Sequence, residues 1–327
     1  MIPGVAPDSE SETTAPLHEL ETHAHGLAAR MPSLLVAARR VSHTVAHGLH
    51  GRRRRGPGDT FWQFRHFEYS DAAESIDWRR SASSDHLYVR EREWEAAHTL
   101  WIWVDLSLSM AFCSHLSDTS KLDRAIVLAL AMGELLVRGG ERIGLLGGRA
   151  RTGHGAVSKL ALSITRKMSD PACAQDSLPP PAALGQFSEC LLFSDFLEPV
   201  DKLTPRLEQL AVQGVRGHLV QILDPAEESL PYEGRTEFSA AESGERVTAG
   251  RAESLREGFH ARMAGHRQAL LDELKRLQWS LLVHHTDHPA QQVLLASHTR
   301  LAGLEHDYRS RPPAEPSDAK LAEGYAP

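Results

Sequence analysis

Leu100-Trp101-Ile102-Trp103-Val104-Asp105-Leu106-Ser107-Leu108-Ser109-Met110 is the stretch on which the fold turns. Its first five residues are all apolar, two of them β-branched and two aromatic, the pattern of a short strand buried on both faces in the middle of a parallel sheet. The run then ends on an acid, and hydroxyls follow at alternate positions, so three oxygen side chains emerge where the chain leaves the sheet. In open α/β sheets ligands sit in the crevice beyond the carboxyl ends of the strands, which is where Asp105, Ser107 and Ser109 fall. A carboxylate and two hydroxyls on one loop suit a hard divalent cation. Mg²⁺, which takes oxygen ligands in octahedral geometry and keeps several waters, fits better than a softer metal. The plainer reading is a turn or helix cap, a common use of a strand-end Asp-x-Ser.

The Asp-x-Ser-x-Ser pattern resembles the metal-ion-dependent adhesion site of von Willebrand factor A domains. The resemblance implies that the two serine hydroxyls touch the metal, that the aspartate holds it largely through water, and that a partner's carboxylate completes the shell. Residues 189–196 repeat the logic of the first strand, an apolar run closing on Ser194 and Asp195. As parallel neighbours the two strands would deliver Asp105 and Asp195 to one sheet edge, where they share a cation; Asp195 is then the third element of the motif. The second element is a threonine from an intervening loop. Thr152 and Thr165 are the candidates, and Thr165 falls in a helical stretch, so Thr152 joins the expected ligand set.

Composition narrows the classes. The chain of 327 residues is 41% hydrophobic and 24% charged, ordinary for a globular protein long enough to bury a sizeable core, and its net charge of -7 gives no general attraction to nucleic acid or anionic membrane. The amino-terminal stretch is acidic and lacks the basic and apolar regions of a signal peptide. The apolar run over 125–137 is interrupted by Glu134 and too short to span a bilayer. Three cysteines without paired spacing fit a reducing compartment, so the expected localisation is cytoplasmic. The 19 histidines are scattered, and neither His43, His47 and His50 nor the adjacent His284 and His285 make an HExxH or Cys-His metal motif.

Read in order, residues 1–16 are expected to be disordered, and 17–50 carry helical periodicity that Pro32 is expected to split into two helices. A β and loop segment over 51–95 leads into the main domain, 96–305, which carries a hairpin insertion at about 224–250, and a disordered tail covers 306–327. Within the main domain strands alternate with helices, one helix beginning at Lys121 after a Ser120 cap and stopping at Gly139-Gly140. The fold class is therefore α/β. The adhesion-site resemblance sharpens this to a von Willebrand A-like, Rossmann-like sheet, mostly parallel and flanked by helices, behind a small amino-terminal β element.

Four elements in the segment before that sheet, Arg-Arg-Gly-Pro-Gly, Phe-x-x-x-Arg-x-Phe-x-Tyr, Ile-Asp-Trp-Arg-x-Ser-Ala and Leu-x-Val-Arg-Glu-x-Glu, resemble the domain-of-unknown-function 58 family. A later Asp-Pro-x-Glu-x-x-Leu-Pro-x-x-Gly string extends the resemblance to about 51–301. Asp71, Asp77, Trp78 and Arg79 match the family signature, although Ser70 stands where the family usually has Gly. No role is defined for these four; Trp78 is expected to be buried, with Asp77 and Arg79 paired or capping. The resemblance also implies a partner, a MoxR-type AAA+ ATPase acting with a client protein. The expected function is a non-enzymatic adaptor that grips a protein through the adhesion-like site. The alternatives are a Mg²⁺-dependent phosphohydrolase and nucleic-acid binding through the Arg52 to Arg55 run.

Overall fold

A computed structural model describes residues 14–49, 61–67, 76, 78–82, 86–92, 98–153, 155–170, 176–185, 188–241 and 244–309. In chain order the elements are helix α1 (Thr14–Leu49), strand β1 (Phe61–His66), helix α2 (Trp78–Ser81), strands β2 (Tyr88–Arg92) and β3 (Thr99–Val104), and helix α3 (Lys121–Arg138). Strand β4 (Arg142–Leu145), helix α4 (Ala156–Met168), strand β5 (Ser188–Ser194), helix α5 (Val200–Ala211) and strand β6 (Arg216–Leu223) follow. The short helix α6 (Pro225–Ser229), strands β7 (Thr236–Ser239) and β8 (Arg246–Ala249), helix α7 (Arg256–Arg276), strand β9 (Ser280–His285) and helix α8 (Ala290–Arg309) complete the chain.

The central sheet has the order β4-β3-β5-β6-β9, and every neighbouring pair is parallel. Strand periodicity sorts its apolar residues onto two faces. Leu100, Ile102, Val104, Leu191, Phe193, Val220 and Ile222 pack with α1, α3, α4 and α8, while Trp103, Cys190, Leu192 and Leu219 pack with α5 and α7. From β3 the chain passes through α3 to β4 on one side, and from β5 it passes through α5 to β6 on the other. The connections therefore diverge between β3 and β5, which opens a crevice beyond their carboxyl ends. Two antiparallel pairs stand outside this sheet, β1 with β2 and β7 with β8, where a small β element and a hairpin were expected.

Two expectations change. Helix α1 runs unbroken through Pro32, which forfeits one backbone hydrogen bond. Met31, Leu34, Ala38, Val41 and Val45 nevertheless bury one continuous stripe in the core, and Arg30 reaches Asp123 of α3 at 2.8 Å. Tertiary packing on both sides of the proline outweighs the lost bond. Trp78 is 63% exposed rather than buried. Helix α2 is a single turn, and it is Ser81 that turns inward, its hydroxyl accepting the Tyr88 N–H at 2.9 Å. Arg79 is exposed as well; Asp71, Asp77 and Arg52 to Arg55 lie outside the described residues.

Close packing on the β6 face yields a first expected result. A Cβ built on Gly217 would lie 1.9 Å from Cε3 of the buried Trp279 indole, whose Nε1 donates to the Val215 carbonyl at 3.2 Å. The indole is held in place, so Gly217→Ala is expected to destabilise by roughly 3 kcal/mol. Gly250, with nothing within 4 Å of its added Cβ, should tolerate alanine within about 0.5 kcal/mol. Urea unfolding of the two variants checks the contrast, and equal losses would mean that β6 shifts freely to admit the methyl group.

Candidate functional site

Asp105 is the first residue beyond β3, and its backbone N–H donates to the Phe193 carbonyl of β5 at 2.9 Å. That bond pins the start of the loop to the neighbouring strand. The Asp105 side chain is wholly buried: one carboxylate oxygen accepts the Ser107 N–H at 2.9 Å and the other accepts the Ser194 hydroxyl at 2.6 Å. Burial, followed by the nearby Asp195 charge, pushes its carboxyl up to about 7. The Ser107 and Ser109 hydroxyls lie 3.0 Å apart and bond each other.

Asp195 leaves β5 on the same edge, its Oδ1 accepting the Leu197 N–H at 3.2 Å and its carbonyl accepting Gln221 Nε2 at 2.8 Å. Its Oδ2 receives Lys121 Nζ at 2.8 Å, and the same ammonium reaches Glu227 Oε1 at 2.5 Å. Lys121 opens α3, where a cation opposes the helix dipole, yet its side chain is only 1% exposed. Burial works to strip its proton, but the Asp195 and Glu227 charges outweigh burial and hold the ammonium above the ordinary lysine value. Glu227 is itself pushed up by burial, which Lys121 offsets only in part.

A third acid completes the edge. Asp224 follows β6 and caps α6, accepting the Ala226 N–H at 2.9 Å, while Glu227 returns the bond to the Asp224 N–H at 2.9 Å. Asp224 also accepts the Ser114 N–H at 2.9 Å and the Ser114 hydroxyl at 2.5 Å, so the loop after β3 is tied to the end of β6. Above this network Phe112, Leu116 and Leu197 stand 38%, 41% and 37% exposed on the loops that follow β3 and β5. The Phe112 ring centre lies 5.9 Å from Lys121 Nζ.

Of the expected ligand set, the structure brings Asp105, Ser107, Ser109 and Asp195 together, but not Thr152. Arg151 bridges Ile143 in the antiparallel sense, so Thr152 heads back toward the amino edge, level with Arg142 and its partner Thr99. Asp105 lies six residue steps along the strand from Thr99, roughly 20 Å. Thr165 lies inside α4 and donates to the Ala161 carbonyl at 3.1 Å. Lys121, Asp224 and Glu227 escaped the sequence reading, although signals existed: a lysine in the first turn of a buried helix, a third strand-end acid, and an Asp-Pro-x-Glu capping box.

This donor set does not fit the Mg²⁺ that the adhesion-site resemblance implies. Mg²⁺ needs oxygen lone pairs free to converge octahedrally. Both carboxylate oxygens of Asp105 and of Asp195 already accept protein donors, and the Lys121 ammonium lies between Asp195 and Glu227. The two serine hydroxyls that would touch the metal bond each other, and Ser107 is wholly buried. What the arrangement does chemically is set one ammonium between two acids and tie the edge loops together by hydrogen bonds.

A parallel α/β sheet with acids beyond three adjacent strands and a lysine buried among them defines an α/β protein with a lysine-bridged acidic carboxyl edge. The chain belongs to the family described as "Protein of unknown function DUF58", which matches residues 63–269. It is 27% identical over 276 residues to "Uncharacterized protein Rv1480" of Mycobacterium tuberculosis (strain ATCC 25618 / H37Rv), covering 80% of this chain and 85% of that protein. The identity and coverage are the same for "Uncharacterized protein Mb1516" of Mycobacterium bovis (strain ATCC BAA-935 / AF2122/97), at 27%, 80% and 85%. Among solved structures, an aerotolerance-related membrane protein from Bacteroides fragilis NCTC 9343 aligns with a TM-score of 0.37 and 14% identity, over 63% of this chain and 99% of that one. The conserved hypothetical protein BatB from Bacteroides thetaiotaomicron aligns with a TM-score of 0.36 and 15% identity, over 63% and 99%. No helix among the described residues is long and apolar enough to cross a membrane.

Proposed function

We propose that this chain is a non-enzymatic interaction adaptor that presents the carboxyl edge of its sheet to a protein partner. The observation that supports the reading is the rim, where Phe112, Leu116 and Leu197 stand exposed over a polar network whose acids are already engaged. Exposed aromatic and aliphatic side chains on an immobilised base suit a protein interface, because little ordering remains to oppose binding. The strand-end acids and the divergence between β3 and β5 are read as a von Willebrand A-like arrangement. Family resemblance supplies the partner class, a MoxR-type AAA+ ATPase working with client proteins during assembly or maturation. The cytoplasm is the compartment we assign, in keeping with three cysteines without paired spacing.

Two other readings have less support. A hydrolase needs an activated nucleophile that a substrate can reach, whereas the Ser107 hydroxyl is wholly buried and engaged by Ser109 and Asp105. Nucleic-acid binding would rest on Arg52 to Arg55 against a net charge of -7. The adaptor reading is tested by pull-down from cell extract with the wild type and with Leu116→Asp/Leu197→Asp, read by mass spectrometry after circular dichroism has shown that both are folded. An AAA+ ATPase should be recovered with the wild type and depleted by about tenfold or more with the variant. Recovery of the same proteins in the same amounts with both would overturn the reading.

A further inference from the structure

We propose that the Lys121 ammonium is the resident cation of this edge and takes the place of a divalent metal, so that the site works without one. Lys121 is the only buried lysine or arginine among the described residues. It is delivered by the helix that follows β3, and its Nζ lies within 2.8 Å of Asp195 Oδ2 and 2.5 Å of Glu227 Oε1. Those carboxylates come from β5 and α6, so one positive charge reaches acids at the ends of two neighbouring strands.

The task matches that of a bound cation: it neutralises acids that burial would otherwise expel, and it joins loops distant in sequence. A protein-borne ammonium differs from an ion in that it does not exchange and leaves no open coordination position. Asp105 fits the same logic. Its two oxygens accept hydrogen bonds from the Ser107 N–H and the Ser194 hydroxyl, so the acid at the head of the Asp-x-Ser-x-Ser loop is satisfied by the chain itself. A carboxylate on a partner would then gain nothing from Mg²⁺ at this edge. The inference stands on the geometry of the edge and does not require that the edge bind a partner.

Removing the ammonium while leaving its volume empty should convert the edge into a metal site, because Asp195 and Glu227 would be left without a counter-charge around the space that the side chain vacates. The experiment is isothermal titration and thermal unfolding with Mg²⁺ and Mn²⁺ on the wild type, Lys121→Ala and Lys121→Met. The wild type should give no saturable heat and an unchanged Tm with either metal. Lys121→Ala should gain a Tm increase of several degrees in millimolar Mn²⁺ that EDTA reverses, whereas Lys121→Met, which fills the volume without charge, should not. One-to-one binding of either metal by the wild type, or a wild-type Tm raised by metal and lowered again by EDTA, would overturn the proposal. A folded Lys121→Ala indifferent to Mn²⁺ would overturn it too, and if that variant does not fold the wild-type titration decides. No partner enters these measurements, so their outcome is separate from that of the pull-down.

Discussion

Replacing Lys121 by Met is expected to lower the free energy of unfolding by roughly 3–5 kcal/mol, the usual loss when one member of a buried ion pair is removed. Methionine keeps most of the packing volume but leaves Asp195 and Glu227 facing each other with their compensating charge gone. The loss therefore measures uncompensated buried charge, which the companion variant separates from packing. Lys121→Met/Asp195→Asn/Glu227→Gln removes all three charges and should recover most of the stability, because a neutral polar cluster is far less costly to bury. Urea unfolding of the two variants and the wild type provides both numbers. A single-variant loss below about 1 kcal/mol, the size of an exposed ion pair, would mean that water reaches the ammonium in solution.

Stability is expected to fall as the pH drops from about 6.5 to 4, driven by two buried histidines. Burial first, then Arg300 and Arg216, hold His218 down to about 4; burial first, then Arg124, hold His284 down to about 3. In the unfolded chain both rings take up protons near 6.5, before the folded rings do. The unfolded state thus binds more protons in this window, so the histidine contribution is complete above 6.5 and is lost as the pH falls. Over the full windows it is worth roughly 3 kcal/mol for His218 and roughly 5 kcal/mol for His284. Asp105 acts in the opposite sense. Its folded value of about 7 lies above the ordinary 3.8, so its contribution is complete below 3.8 and is lost as the pH rises to 7. For these three groups alone, two histidines against Asp105 leave a net loss of about 1.4 kcal/mol per pH unit between 6.5 and 4; Glu227, raised by burial, acts in the sense of Asp105, and Glu228, held below the ordinary value, in that of the histidines. Asp105→Asn removes its opposing contribution and should steepen the loss by about 1.4 kcal/mol per pH unit, which urea unfolding at successive pH values would reveal. Parallel profiles for the variant and the wild type would show that Asp105 does not titrate in this window.

Signals carried within one element proved legible. The apolar run that became β3, the Ser120 cap and Gly139-Gly140 stop of α3, and the hairpin pairing of β7 with β8 were all readable, because strand period and capping depend on residues a few positions apart. The delivery of Asp105 and Asp195 to one edge was readable as well, since two buried strands that each end in an acid meet there once they pair in parallel. Family membership was equally accessible from short motifs in a fixed order, and the match over 63–269 falls inside the expected stretch. By itself, then, the sequence determined an α/β protein with a parallel sheet and an acidic carboxyl edge. The cation for that edge was decided only by tertiary structure. Lys121 meets Asp195 across 74 residues and Glu227 across 106, distances over which no local pattern operates. Tertiary structure also sent Thr152 to the opposite edge, left Trp78 facing outward and kept α1 continuous through Pro32. Each of these turns on which distant surface a side chain packs against, a choice made when the elements assemble and not when they form.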